Sequence, residues 1–384
     1  MSLDLLRGKT AIVGAATATP GPRPGHTAME ILADAVGRAL EDAGLKLQDV
    51  DGLFAGSAYH YTPTLSVGEY LGLRPRFSDS TMVGGSSFVG HLLTAAMALE
   101  ARQCDVALIC YGSNQATAGG KLHSMAEPQI YEAPYAPRYP VSSYAFAAQR
   151  HMHQYGTRRE DLAEVALAAR AWAKLNPDAA QRGDLTLEEI MAARMISSPL
   201  SKYDCCLVTD GGGAVIMTRA ERARDLKQAP VYLLGAAGAH WHRAITSMPD
   251  LTVTAASDCG PRAFAMAGLT PGDIDVVQLY DAFTINTILF LEDLGFCAKG
   301  EGKDFIARGG IAPGGHLPVN TNGGGLSCCH PGMYGIFTII EAVTQLRGQA
   351  GARQISGAQT ALCHGNGAVL SSQITAILGT EATV

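Results

Sequence analysis

Two rhythms of apolar residues run through the first hundred positions. Lys9 to Gly14, KTAIVG, is an unbroken apolar, β-branched run closed by glycine, and predicts a buried strand. Thr27 to Gly44 repeats its apolar positions every three to four residues and ends on glycine, which predicts a helix with a glycine stop. A second strand begins at Asp49 to Phe54. Ser80 to Leu99 then passes from a polar, glycine-rich loop into an alanine-rich helix, and Asp105 to Tyr111 gives a third strand. Alternation of this kind predicts a mostly parallel sheet with helices on its faces.

From Gly112 to about Ala192 the rhythm gives way to a stretch rich in Tyr, Met, Pro and His, followed by a helical pattern around Leu162 to Lys174. It reads as an inserted loop subdomain of the kind that roofs a pocket. Ser198 to Asp204 and Val208 to Met217 return to the sheet. Gly211 to Gly213 suit a tight strand approach beside Asp210 and are not a phosphate loop, because no Lys-Ser/Thr follows them.

At Pro230 the pattern starts again. Ala39, Ala43-Gly44-Leu45 and Asp49-Val50-Asp51 recur without a gap as Ala263, Ala267-Gly268-Leu269 and Asp273-Ile274-Asp275, an offset of 224 (263 − 39). Further on, Cys110-Tyr-Gly112 recurs as Cys363-His-Gly365 at an offset of 253 (363 − 110). The extra residues fit the segment from Phe283 to Pro318. An internal duplication follows, with one half at 1–225, including the insert at about 112–192, and the other at 226–384. Two βαβαβ halves side by side would bring the glycine-rich stretches at Gly84 to Ser87 and Gly323 to Gly325 together in the middle.

Composition narrows the function. At 384 residues, 47% hydrophobic and 17% charged, the chain is core-rich and enzyme-like rather than disordered. A formal net charge of −6 without a basic cluster argues against nucleic acid. No apolar run reaches membrane-spanning length and the N-terminus lacks a signal-peptide pattern, so a cytoplasmic protein is expected. Nine cysteines, with two adjacent pairs and no CxxC, predict neither a disulfide framework nor a metal site.

The candidate chemistry gathers in LPVNTNGGGLSCCHPGMYG (317–335). Asn322-Gly323-Gly324-Gly325 can bring bare backbone against a ligand, and His330 is expected where the next apolar helix begins, its ring offered to whatever the glycines admit.

Together with YDAFTINTILFLEDLGFCAKGEG (280–302) and LCHGNGAVLSSQ (362–373), this motif resembles the thiolase superfamily, most of all the sterol-carrier-protein-type thiolases and the lipid-transfer-protein aldolases. The resemblance implies an α/β fold in which duplicated βαβαβ halves form a five-layer α-β-α-β-α sandwich. It implies His330 in an oxyanion hole, Cys363 moving the proton at the substrate α-carbon, the Gly365 amide lining a second oxyanion site, and Tyr280 where the family holds a water with His or Asn. Gly85, Ser86, Ser87, Asn322, Gly324 and His364 would then meet the substrate. Thiolases open the helix after the first glycine-rich loop with a nucleophilic cysteine, where the helix dipole lowers its pKa. Here that loop reads VGGSSFVGH (83–91) and the position falls on Gly85 or, with one residue of slack, Ser86.

A thioester-enolate apparatus without the thiol implies an enzyme that makes or breaks a C–C bond beside a CoA thioester. Retro-aldol cleavage of a bulky β-hydroxyacyl-CoA is the leading expectation. The alternatives are an acyltransferase using another nucleophile, and a catalytically reduced acyl-CoA or lipid-binding protein. CoA would be the substrate carrier, with no covalently bound cofactor. The resemblance further implies a homodimer across the first-half sheet and a small zinc-ribbon/OB-fold partner protein.

Overall fold

The computed structural model describes residues 6–118 and 130–384, so part of the insert, 119–129, lies outside the described residues. The first half runs β1 (Thr10–Thr17), α1 (Ala28–Ala43), β2 (Gly52–Ala55), α2 (Pro63–Leu71), β3 (Phe77–Asp79), α3 (Ser86–Glu100) and β4 (Ala107–Ser113). The insert carries α4 (Val141–Tyr155), α5 (Arg159–Lys174) and α6 (Leu187–Ala192). Past its end, β5 (Met195–Ser197) and β6 (Leu200–Ser201) pair only with each other, so Ser198 to Asp204 does not rejoin the main sheet as expected. Strand β7 (Gly211–Arg219) and the one-turn α7 (Ala220–Ala223) follow. The second half runs β8 (Val231–His240), α8 (Ala256–Ala267), β9 (Val276–Leu279), α9 (Thr284–Asp293), α10 (Gly302–Ile306), α11 (Gly335–Leu346), β10 (Thr360–Gly367) and β11 (Ser372–Gly379).

Local chemistry sets these limits. Thr27 caps α1 through a reciprocal pair: its hydroxyl accepts the Glu30 amide at 3.2 Å and the Glu30 carboxylate accepts the Thr27 amide at 2.7 Å. Gly44 closes the helix in the left-handed region. Ile31, Ala35, Val36 and Ala39 then form the stripe that buries α1 against β1, β4 and β7.

Nine strands form one sheet in the order β3-β2-β4-β7-β1-β8-β11-β10-β9. The expected mostly parallel sheet is instead mixed. Strand β2 is parallel to β3 and β4, and β9 to β10, while β4–β7, β7–β1, β1–β8, β8–β11 and β11–β10 are antiparallel. The reason is connection length: β10 ends at Gly367 and β11 starts at Ser372, too short a link for a parallel crossover.

The halves meet at the short β1–β8 pairing, Ala11 with Tyr232 and Ile12 with Val231. Helix α3 packs on β4 and β7 of one half and on β8, β10 and β11 of the other; α11 likewise touches β1 and β7 as well as β9 and β10. With α1 outside the first half and α8 outside the second, the layers run α-β-α-β-α. The duplication reaches single residues. Asp51 accepts the amides of Asp105 and Val106, each at 2.8 Å, and Asp275 accepts those of Gln359 and Thr360 at 2.8 and 3.0 Å. Among the described residues no helix is long and apolar enough to cross a membrane.

Candidate active site

The seam between the halves narrows where the two central helices start. Gly335, first in α11, presses on the backbone of Gly85, just ahead of α3: a Cβ at 335 would lie 1.9 Å from the Gly85 carbonyl oxygen. The meeting point is therefore Gly85 with Gly335, not with Gly323 to Gly325 as expected. On β10, Gly365 lies against the first turn of α3, where a Cβ would be 2.8 Å from the Ser86 Cα.

Tyr280, one residue past β9, hangs its amide on the His364 carbonyl at 3.0 Å. Its ring crosses Gly85 so closely that a Cβ there would lie 2.0 Å from the Tyr280 Cε2. Its hydroxyl is 3.0 Å from His330 Nε2 and 3.4 Å from the Gly332 carbonyl, and the two rings meet edge to face at 5.5 Å. Tyr280 is buried, and His330 is intermediate in exposure. Tyr280, His330, Gly85 and Gly365 are thus drawn to one place from both halves.

His330 lies in the loop ahead of α11 rather than at the helix start, because Pro331 and Gly332, the latter at φ +87°, turn the chain before the helix forms. Three contacts hold that loop. The His330 amide donates to Thr209 Oγ1 at 3.0 Å, the Thr209 amide returns to the His330 carbonyl at 3.3 Å, and the Tyr111 hydroxyl donates to the Pro331 carbonyl. Thr209 and Tyr111 belong to the first half and were not among the predicted site residues. Thr209 stands beside the quoted Asp-Gly-Gly-Gly run, but no spacing signal ties it to a histidine 121 positions on.

The glycine turn does not present bare backbone to a ligand. Gly324–Cys328 makes a single π-type turn, and the buried carboxylate of Asp281 already occupies its amides, accepting Gly325 N at 2.6 Å and Leu326 N at 3.4 Å. Gly324 sits at φ +63°, and a Cβ on it would meet Asp281 Oδ2 at 2.0 Å, so this corner accepts only glycine. Asn322 Oδ1 takes the Gly324 amide at 2.8 Å and the Tyr334 hydroxyl at 3.0 Å. Asn322 and Gly324 are structural supports in this arrangement. Asp281 was quoted in the sequence motif beside Tyr280 but given no role; its signal was an acid directly after the tyrosine.

The remaining predicted residues lie deeper. Cys363 shares a face of β10 with Gly365, one pleat further into the core, fully buried with its thiol 3.5 Å from the Thr338 carbonyl. His364 points to the other face, fully buried between Thr375 at 2.9 Å, Gln373 at 2.8 Å and the edge of Phe290. Ser86 and Ser87 are fully buried. Ser86 donates to the Val83 carbonyl at 2.8 Å and is 2.7 Å from Ser372, and Ser87 accepts the Val83 amide at 3.1 Å. Ser86 places its proton on the Val83 carbonyl, and no imidazole touches it directly; His240 Nδ1 is reached only through Ser372, at 2.8 Å.

Burial sets the charge states. It lowers the His330 imidazole to about 4 and pushes the Tyr280 phenol and the Cys363 thiol far up, so at neutral pH all three are uncharged. Burial also raises Asp281 to about 7, against the pull of the backbone amides that favour the carboxylate. The pair is then a neutral donor and acceptor, able to relay one proton without first holding a charge. Among the described residues no group of three or more His, Cys, Asp or Glu is placed to hold a metal.

Residues 237–380 match the family described as thiolase C-terminal domain-like. The chain is 34% identical over 373 residues to a steroid side-chain-cleaving aldolase of Thermomonospora curvata, covering 90% of this chain and 92% of that one. It is 36% identical over 341 residues to an acetyl-CoA acetyltransferase of Methanothermobacter thermautotrophicus, covering 86% and 88%. Among solved structures, the Ltp2-ChsH2(DUF35) aldolase superposes with a TM-score of 0.88 at 32% identity over 98% of this chain and 99% of that one.

Proposed function

From a chain that belongs to the thiolase superfamily, with a side-chain-cleaving aldolase among its relatives, we propose retro-aldol cleavage of a β-hydroxyacyl-CoA in which Tyr280 and His330 carry the proton. The β-hydroxyl proton passes to the Tyr280 oxygen as the phenol proton moves towards His330 Nε2. The Cα–Cβ electrons move onto the α-carbon and the thioester carbonyl, and the β-carbon leaves as a ketone or aldehyde. The Gly365 amide is the donor we assign to the enolate oxygen; one such donor is worth about 3 kcal/mol in comparable sites. The pair then returns a proton to the α-carbon, so atoms and charge balance without water or a second thiol. A bulky apolar substrate, with a steroid acyl-CoA as the leading candidate, is supported by the aldolase relative.

One observation carries this reading: the phenol–imidazole pair at 3.0 Å lies across Gly85, where no side chain can bear an acyl group. Tyr280→Phe and His330→Ala, assayed for release of the carbonyl product, are each expected to lower kcat/KM by about 10²-fold or more. Unchanged turnover in both would refute it. The acyltransferase reading is favoured by the Methanothermobacter relative, and would show instead as acyl exchange between two thioesters. The Ltp2-ChsH2 structure supports a small DUF35-type partner for this chain, and a homodimer across the first-half sheet completes the proposed assembly.

A further inference from the structure

We propose that Asp281 is a positioning residue for this site, holding the amides of Gly325 and Leu326 and through them fixing the His330 imidazole against Tyr280; the inference rests on the cleavage reading for its catalytic consequence. The geometry is layered. Asp281 follows Tyr280 in the chain, so one short segment supplies both the phenol that touches the imidazole and the carboxylate that holds the turn leading to it. Gly325 is wedged between the two: a Cβ there would lie 3.1 Å from Asp281 Oδ1 and 3.2 Å from His330 Cδ2. The other side of Gly325 is pinned as well, its carbonyl accepting the Leu207 amide at 2.9 Å while the Cys206 amide donates to the Ala282 carbonyl at 2.9 Å. Asp281 is fully buried and makes no ion pair among the described residues, so its acceptor capacity goes to these amides and to the Asn320 side chain. A buried carboxylate without a cation is a costly choice for mere packing, where Asn or Leu would serve.

The titratable groups around Asp281 are Tyr280 after β9, Cys206 before β7, Cys328, Cys329 and His330 around the turn, and Tyr334 ahead of α11. Burial pushes the Cys206 thiol and the Tyr280 and Tyr334 phenols far up; the Cys328 contact and burial do the same to Cys329, and His330 is held near 4. An acid limb near neutrality therefore belongs to Asp281, whose raised carboxyl takes up a proton as pH falls through about 7 and loosens its hold on the amides.

Asp281→Asn, close in size, tests this in the full chain. Its crystal structure is expected to show the Tyr280 hydroxyl and His330 Nε2 separated beyond hydrogen-bond distance. Its kcat should fall by about 10²-fold with KM little changed, since a displacement of that size costs about that much. The wild-type acid limb in kcat should vanish. Gly325→Ala, which crowds carboxylate and imidazole together, should displace the ring with Asp281 intact. An unmoved ring in Asp281→Asn overturns the proposal whatever Gly325→Ala shows, as does a wild-type kcat and acid limb in Asp281→Asn. The ring position is read without substrate, so its failure is distinguishable from failure of the cleavage reading, which Tyr280→Phe and His330→Ala test.

Discussion

A phenol laid across a helix start needs an empty Cα beneath it, and Gly85 is that empty Cα. Gly85→Ala would drive a methyl into the Tyr280 ring, so it is expected to reduce cleavage about as much as removing the phenol, by about 10²-fold. In a Tyr280→Ala background the same change should cost nothing further, because the two residues share one space. Additive losses in that cycle would show that Gly85 acts elsewhere. At this scale the sequence was legible as types, not as contacts. His330 and Tyr280 stood out by motif, but their bond joins positions 50 apart and depends on where the His-Pro-Gly loop lands. Cys363 and His364 look alike on the page because strand alternation, which sends one to the central helices and the other towards α9, shows only once the strand is placed.

Between elements, the insert predicted as a roof is stitched to the second half by polar contacts. Tyr144 on α4 packs its ring at a tilt against Phe283 at 4.3 Å, donates to the Ala368 carbonyl at 2.8 Å and accepts from Asn366 at 2.8 Å. The chain continues through Gln373 to His364. Tyr144→Phe keeps the ring but leaves the buried Asn366 amide, and the carbonyl of the exposed Ala368, without this partner. We expect a loss of about 1–3 kcal/mol in urea unfolding; a loss well below that range would mean the network re-pairs. Helix α1 and its caps were readable because Thr27, Glu30 and Gly44 are local signals. The antiparallel pairings were not, since strand direction is decided by connections whose paths are not local.

Across the whole molecule, the duplication was the most legible feature, because the helix stops at Gly44 and Gly268 and the strand-locking aspartates at 51 and 275 recur at one spacing. It places two helix starts at a shared seam, where Gly85 lies under the ring of Tyr280. The central claim is that cleavage here proceeds without an acyl group on the protein. The most direct test is intact-mass analysis of the protein quenched during steady turnover of a β-hydroxyacyl-CoA. We predict carbonyl product accumulating while the protein keeps its unmodified mass; an acyl adduct that forms and decays at the turnover rate, on Ser86, Cys363 or any other residue, would contradict the account.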